Sequence, residues 1–173
     1  MSDLRERVAG AIEALIDGVG RLTAWLALAM IALVAVNVVL RYAASLGSVW
    51  AQELEWHLLA ALIMLGMSHA LQRGDDVRVD LFYGRYRPRT RWWVDLASLV
   101  LLLLMACLLL WLSLAYVAQS WSVGERSSDP GGIPWRWAVK SLIPIGFGLL
   151  ALHAVAAMLR LVARRPATEG HHA

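Results

Sequence analysis

Between two long apolar runs the chain places residues 72–91, a stretch with six arginines: Arg73, Arg78, Arg85, Arg87, Arg89 and Arg91. A segment this basic crosses a bilayer poorly during insertion, so it stays on the cytoplasmic face and fixes the direction of every neighbouring apolar run. A solvated basic loop on a water-facing protein is the other way to read it. The flanking runs are too apolar for that.

Composition agrees. Hydrophobic residues make up 60% of the 173, against roughly 45–50% in soluble domains, and the few charges are gathered between the apolar runs. The pattern is that of an all-α, multi-span membrane protein. The net charge of +3 arises from the arginine segment and the tails and suits anionic lipid headgroups. The basic clusters flank spans and no nucleic-acid motif accompanies them, so nucleic acid is not an expected partner. Cys107 is the single cysteine. It lies in an apolar run, has no internal disulfide partner and reads as a packing residue. No cleavable leader is expected: the first apolar run is longer than a leader's core, and Asp3, Glu6, Glu13 and Asp17 precede it.

In residues 3–20, Leu4, Val8, Ile12, Leu15, Ile16 and Val19 recur at helical spacing, with Arg5, Glu6, Glu13 and Asp17 off that stripe. The spacing predicts an N-terminal amphipathic helix on the membrane or on a neighbouring subunit. Gly18 and Gly20 would then turn the chain into the bilayer. Residues 22–40 carry no charge and, at about 1.5 Å rise each, cover the roughly 30 Å hydrocarbon core. Three more spans are expected at about 52–72, 92–117 and 137–160. Gly66 and Ala70 offer the second span a close-packing patch. A short interfacial helix is expected near residues 77–86, closed by Pro88. Pro144 should kink the fourth span or mark a wide first turn. Residues 1–165 form one membrane domain, and 166–173 a disordered tail. Twelve of the sixteen basic residues fall in the N-terminal, middle and C-terminal segments, which puts both termini in the cytoplasm.

Intramembrane polar groups are the natural functional candidates. Glu53 and His57, four apart, could be half of a metal site, but no second pair of ligands lies at a helpful spacing. Interfacial solvation of both accounts for them better. His69 and His153 could lie at similar depth, as bis-histidine haem ligands would. That keeps open an alternative: a haem-binding membrane anchor of a redox enzyme. A third reading is a small self-contained channel or exporter. There is no nucleophile–base pair, phosphate loop or chain of intramembrane acids, so neither catalysis nor pumping is expected, and no cofactor.

The runs Asn37-Val-Val-Leu-Arg41-Tyr42 and Trp50-Ala-Gln-Glu53-Leu-Glu55-Trp56-His57 precede Gly66 and Val77-Arg78-Val79-Asp80-Leu81-Phe82-Tyr83. Together they resemble the small membrane (Q-type) subunit of TRAP transporters, the tripartite ATP-independent periplasmic transporters. The later stretch SSDPGGIPWRWAVKSLIPIGF, residues 127–147, resembles one branch of that family. The likeness runs in order over about residues 11–159. Asp76 stands where relatives often carry histidine. The resemblance implies a bacterial inner-membrane complex. In it a periplasmic solute-binding protein captures a small organic acid or similar solute, and a large subunit moves it by a sodium-driven elevator motion. The small subunit widens the fixed scaffold and helps dock the binding protein. It further implies subunit-interface roles for Arg41, Glu53, Glu55, Gly66 and Asp80. A docking role falls to the outer turn of Asp129, Pro130, Gly131, Gly132, Trp135 and Arg136.

Overall fold

The computed structural model describes residues 2–74 and 86–163. All regular structure among them is helical: α1 (Ser2–Ala44), α2 (Val49–Arg73), α3 (Pro88–Ser122) and α4 (Arg136–Ala163). Each is long and apolar enough to cross a membrane. The expected interfacial helix, Asp76, Asp80 and the tail at 166–173 lie outside the described residues, apart from the helix's last position, Tyr86, and Pro88 beyond it.

Local chemistry sets the helix ends. Ser45 takes a left-handed conformation, φ 54°, and the Leu46 amide turns back to the Leu40 carbonyl at 3.2 Å, which stops α1. Ser48 caps α2 by accepting from the Ala51 amide at 3.3 Å, the usual work of an N-cap hydroxyl. Gly74 closes α2 with φ 75°, donating to the Ala70 and Leu71 carbonyls. A side chain is strained in that conformation and glycine is not. Pro88 sits in the first turn of α3, where its missing N–H costs nothing. It therefore starts the third span four residues earlier than the expected Trp92 instead of merely closing the segment before it.

Helices α1, α2 and α4 pack on one another, and α3 packs along α4. Between them lie small residues: Ala9, Ala106, Ala154 and Ala156 are buried, as are Thr23, Ser68, Ser113 and Ser120, with Ile16, Leu149 and Leu150 the larger apolar members. Lipid tails are as apolar as leucine, so spans gain by close approach of backbones rather than by escape from water. Gly146 shows this best. A Cβ there would lie 2.7 Å from the Met64 carbonyl oxygen, so α4 and α2 touch backbone to backbone. Gly66, the expected patch, faces Thr23 of α1 at ordinary contact distance. Pro144 lies inside α4, which continues through it.

Two expectations are corrected. The amphipathic segment is not a separate helix: α1 runs 43 residues without a break, about 64 Å at ~1.5 Å per residue. Glycine permits a turn without forcing one, and Gly20 is used otherwise, since a Cβ there would overlap the His69 ring. In this segment the face packed on the bundle differs from the apolar stripe. Ala9, Ile16 and Gly20 are buried while Leu4, Val8 and Leu15 are exposed. The acids belong to the packed side because they find partners there: Arg160 for Glu13, and His69 and Arg73 for Asp17. Cys107 is likewise exposed on α3 rather than packed.

Candidate functional site

The bundle has two polar ends. One carries the connections 45–48 and 123–135, here the loop end. The other carries the N-terminal half of α1 and the last turns of α2 and α4.

At the loop end the Glu53 carboxylate, in the second turn of α2, is buried at 8% exposure, low for an acid near a helix start. It organises the connection between α3 and α4. The Ser127 hydroxyl donates to Oε1, the Ile133 amide donates to Oε2, and Arg136 Nη2 lies 3.5 Å from Oε1. Gly132 passes so close that a Cβ would meet the Ser127 side chain and Glu53 Oε2. The turn is built for this approach. Gly131 supplies φ 85°, the Gly132 amide donates to the Asp129 carbonyl at 3.0 Å, and the Asp129 amide donates to Ser127 Oγ at 3.2 Å. Asp129, Pro130, Gly131 and Trp135 remain exposed on the outside of the turn. The sequence reading treats Glu53 and this turn as separate sites, and the structure joins them. Ser127 and the Ile133 amide, which make the joint, have no sequence signal that singles them out.

Beside this joint, Lys140 of α4 pairs with Glu125, and its ammonium sits 4.0 Å from the centre of the Tyr116 ring of α3. The Lys140 ammonium holds the Glu125 carboxyl below the ordinary carboxylate range. A lysine inside an apolar run demands such a counter-charge. That demand was the signal available in the sequence for Glu125.

Arg41 and Glu55 lie elsewhere at the same end. With Val34, Asn37, Val38, Gln52 and Trp56 they line a groove of about 260 Å³ between α1 and α2. Asn37 Nδ2 donates to Glu55 Oε1 at 2.9 Å, and the Arg41 guanidinium lies 5.2 Å from the Tyr42 ring centre.

His57 and His69 are each engaged by their own neighbours. His57 Nδ1 lies 2.6 Å from the Glu53 carbonyl. A carbonyl only accepts, so that nitrogen carries the proton. The Glu53 carboxylate meanwhile serves the connection, and the pair does not converge. His69 lies over Gly20 with Nδ1 3.3 Å from Asp17 Oδ1. Among the described residues no group of three or more His, Cys, Asp or Glu could hold a metal ion.

Four helices, each long and apolar enough to cross a membrane, joined at both ends by polar clamps, define a multi-span membrane protein. The family described as "Tripartite ATP-independent periplasmic transporters, DctQ component" matches residues 30–164. The chain belongs to this family, the small component of TRAP transporters, and is a transporter component rather than an enzyme. No curated protein sequence matches it. Membership displaces the redox-anchor reading of His69 and His153.

Proposed function

We propose that this chain is the scaffold subunit of a sodium-driven TRAP transporter for a small organic acid or similar solute. It lies in a bacterial inner membrane with both termini in the cytoplasm and the loop end in the periplasm. It braces the large elevator-type subunit and presents the turn at 129–136 to the solute-binding protein.

The observation that carries this reading is the Glu53 joint. A buried carboxylate with two hydrogen bonds and an arginine beside it holds a connection of irregular backbone in one shape, with Asp129 and Trp135 outward. A surface held in one shape docks a partner with less ordering cost than a loose loop. Bracing has its own support. Leu4, Val8, Leu15, Leu22, Trp25 and Leu28 of α1 are exposed, an apolar line that begins well before the charge-free run at 22–40 and so suits a neighbouring protein as well as lipid.

Reconstituted complex, driven by a sodium gradient and supplied with binding protein, tests the reading. Glu53→Lys should lower uptake at limiting binding protein and recover part of it at excess. Uptake equal to wild type at every concentration would overturn the docking role. Solute bound stoichiometrically to this chain alone would overturn the scaffold role.

A further inference from the structure

We infer that the groove between α1 and α2 at the loop end is a binding site for a phospholipid with a zwitterionic ethanolamine headgroup. Three features carry the inference, and none of them is needed for the scaffold reading.

The first is charge. Arg41 and Glu55 line one groove without pairing with each other. Among the described residues the Arg41 guanidinium has the Tyr42 ring against it and no carboxylate in ion-pair reach, and Asn37 engages one Glu55 oxygen. An arginine fork suits a phosphate, and a carboxylate suits a primary ammonium. A ligand with both groups a few bonds apart satisfies both walls at once. An anionic lipid would leave Glu55 facing a like charge. A choline headgroup has no N–H to donate to it.

The second is depth. Arg41 stands at the end of the charge-free run 22–40, where the hydrocarbon ends. Tyr42, Trp50 and Trp56 are exposed nearby, as aromatic side chains at headgroup level are. The third is polarity. Val34 and Val38, on the same face of α1 one turn apart, give the groove an apolar floor toward the membrane interior. A free zwitterion has no use for that floor, and an acyl chain does.

The test uses the complex purified from its own membrane through a tag on this chain, partly delipidated and offered equal phosphatidylethanolamine and phosphatidylglycerol. Retained lipid is counted by native mass spectrometry. Wild type should keep the ethanolamine lipid by roughly tenfold over the glycerol lipid, the scale of one charge-assisted hydrogen bond. Glu55→Gln, which can still accept from Asn37, should abolish that preference. Arg41→Gln should weaken retention of both lipids, and Asp3→Asn at the far end should change neither. Equal retention by wild type, or an unchanged preference in Glu55→Gln, overturns the inference. So does dissociation of the complex by either groove variant with no preference in wild type, which would make the groove a protein contact. Binding of soluble glycerophosphoethanolamine as strongly as the lipid would also overturn it, in favour of a free zwitterion.

Discussion

Glu13 and Arg160 meet as a two-pronged pair. Arg160 Nε lies 3.0 Å from Oε1 and Nη2 lies 2.7 Å from Oε2. The pair ties the first helix to the last, and Gln72 Nε2 of α2 donates to the Glu13 carbonyl at 3.1 Å. Three helices are thereby fastened at one level, and the N-terminal half of α1 is held against the bundle instead of lying free on the membrane.

This pair should govern how firmly that half of α1 is docked. Replacing Glu13 by Gln removes the charge that Arg160 faces, so amide exchange across residues 2–17 should accelerate while α3 is unaffected. The exchanged pair, Glu13→Arg with Arg160→Glu, should restore much of the protection, because the geometry is reciprocal. If exchange is unchanged in Glu13→Gln, burial of Ala9 and Ile16 holds the segment without help from the charges.

Helix packing makes a sharper prediction at two glycines two residues apart, on opposite sides of α4. Gly146 has the Met64 backbone where a Cβ would go, and Gly148 has open space. Gly146→Ala should destabilise the bundle by about 1–3 kcal/mol, the usual cost of overpacking a site that cannot give. Gly148→Ala should be neutral or slightly stabilising, since alanine is the better helix former. Unfolding of the detergent-solubilised protein by heat or by sodium dodecyl sulfate measures both. Equal midpoints for the two variants would mean that α2 and α4 can separate cheaply.

The contrast between these glycines shows what was legible in the sequence. Four apolar runs give four helices, because a span's length and its lack of charge follow directly from composition. The turn at 129–132 was legible too, since Pro130 and Gly131 announce their backbone needs. Azimuth was not. Nothing local separates Gly146 from Gly148, or the exposed Leu15 from the buried Ile16, when the neighbouring helix is far away in the chain. The same blindness hid the partners of Glu13 and Glu53. A carboxylate next to an apolar run announces that it needs a partner, and only the three-dimensional arrangement says that Arg160 is one and Ser127 the other.

At Glu53 the structure predicts a change of shape ahead of any loss of fold. Glu53→Ala leaves the Ser127 hydroxyl and the Ile133 amide without their acceptor and Arg136 without its counter-charge. The turn at 127–133 should then become protease-sensitive, with α3 and α4 intact by circular dichroism. Ser127→Ala removes one of the hydrogen bonds and should give a partial version of the same effect. Resistance equal to wild type in Glu53→Ala would show that Gly131 and Pro130 hold the turn unaided.

The last prediction concerns acid. Lys140 keeps the Glu125 carboxyl below its ordinary range in the folded protein, whereas in the unfolded chain it titrates near the ordinary value. A carboxyl with a lowered folded pKa stabilises the fold at pH values above the unfolded pKa, and loses that contribution as pH falls through the folded one. The connection at 123–135 should therefore hold at neutral pH and loosen only in acid more extreme than a free glutamate needs. Trp121 and Trp137, stacked edge to face at 4.6 Å between ring centres and close in sequence to Glu125 and Lys140, supply the readout. Their fluorescence should shift in an acid step that Glu125→Gln removes, with the variant resembling acidified wild type at neutral pH. An acid step that survives in Glu125→Gln would assign the transition to another carboxylate, such as Glu53, which holds the same connection through Ser127 and Ile133.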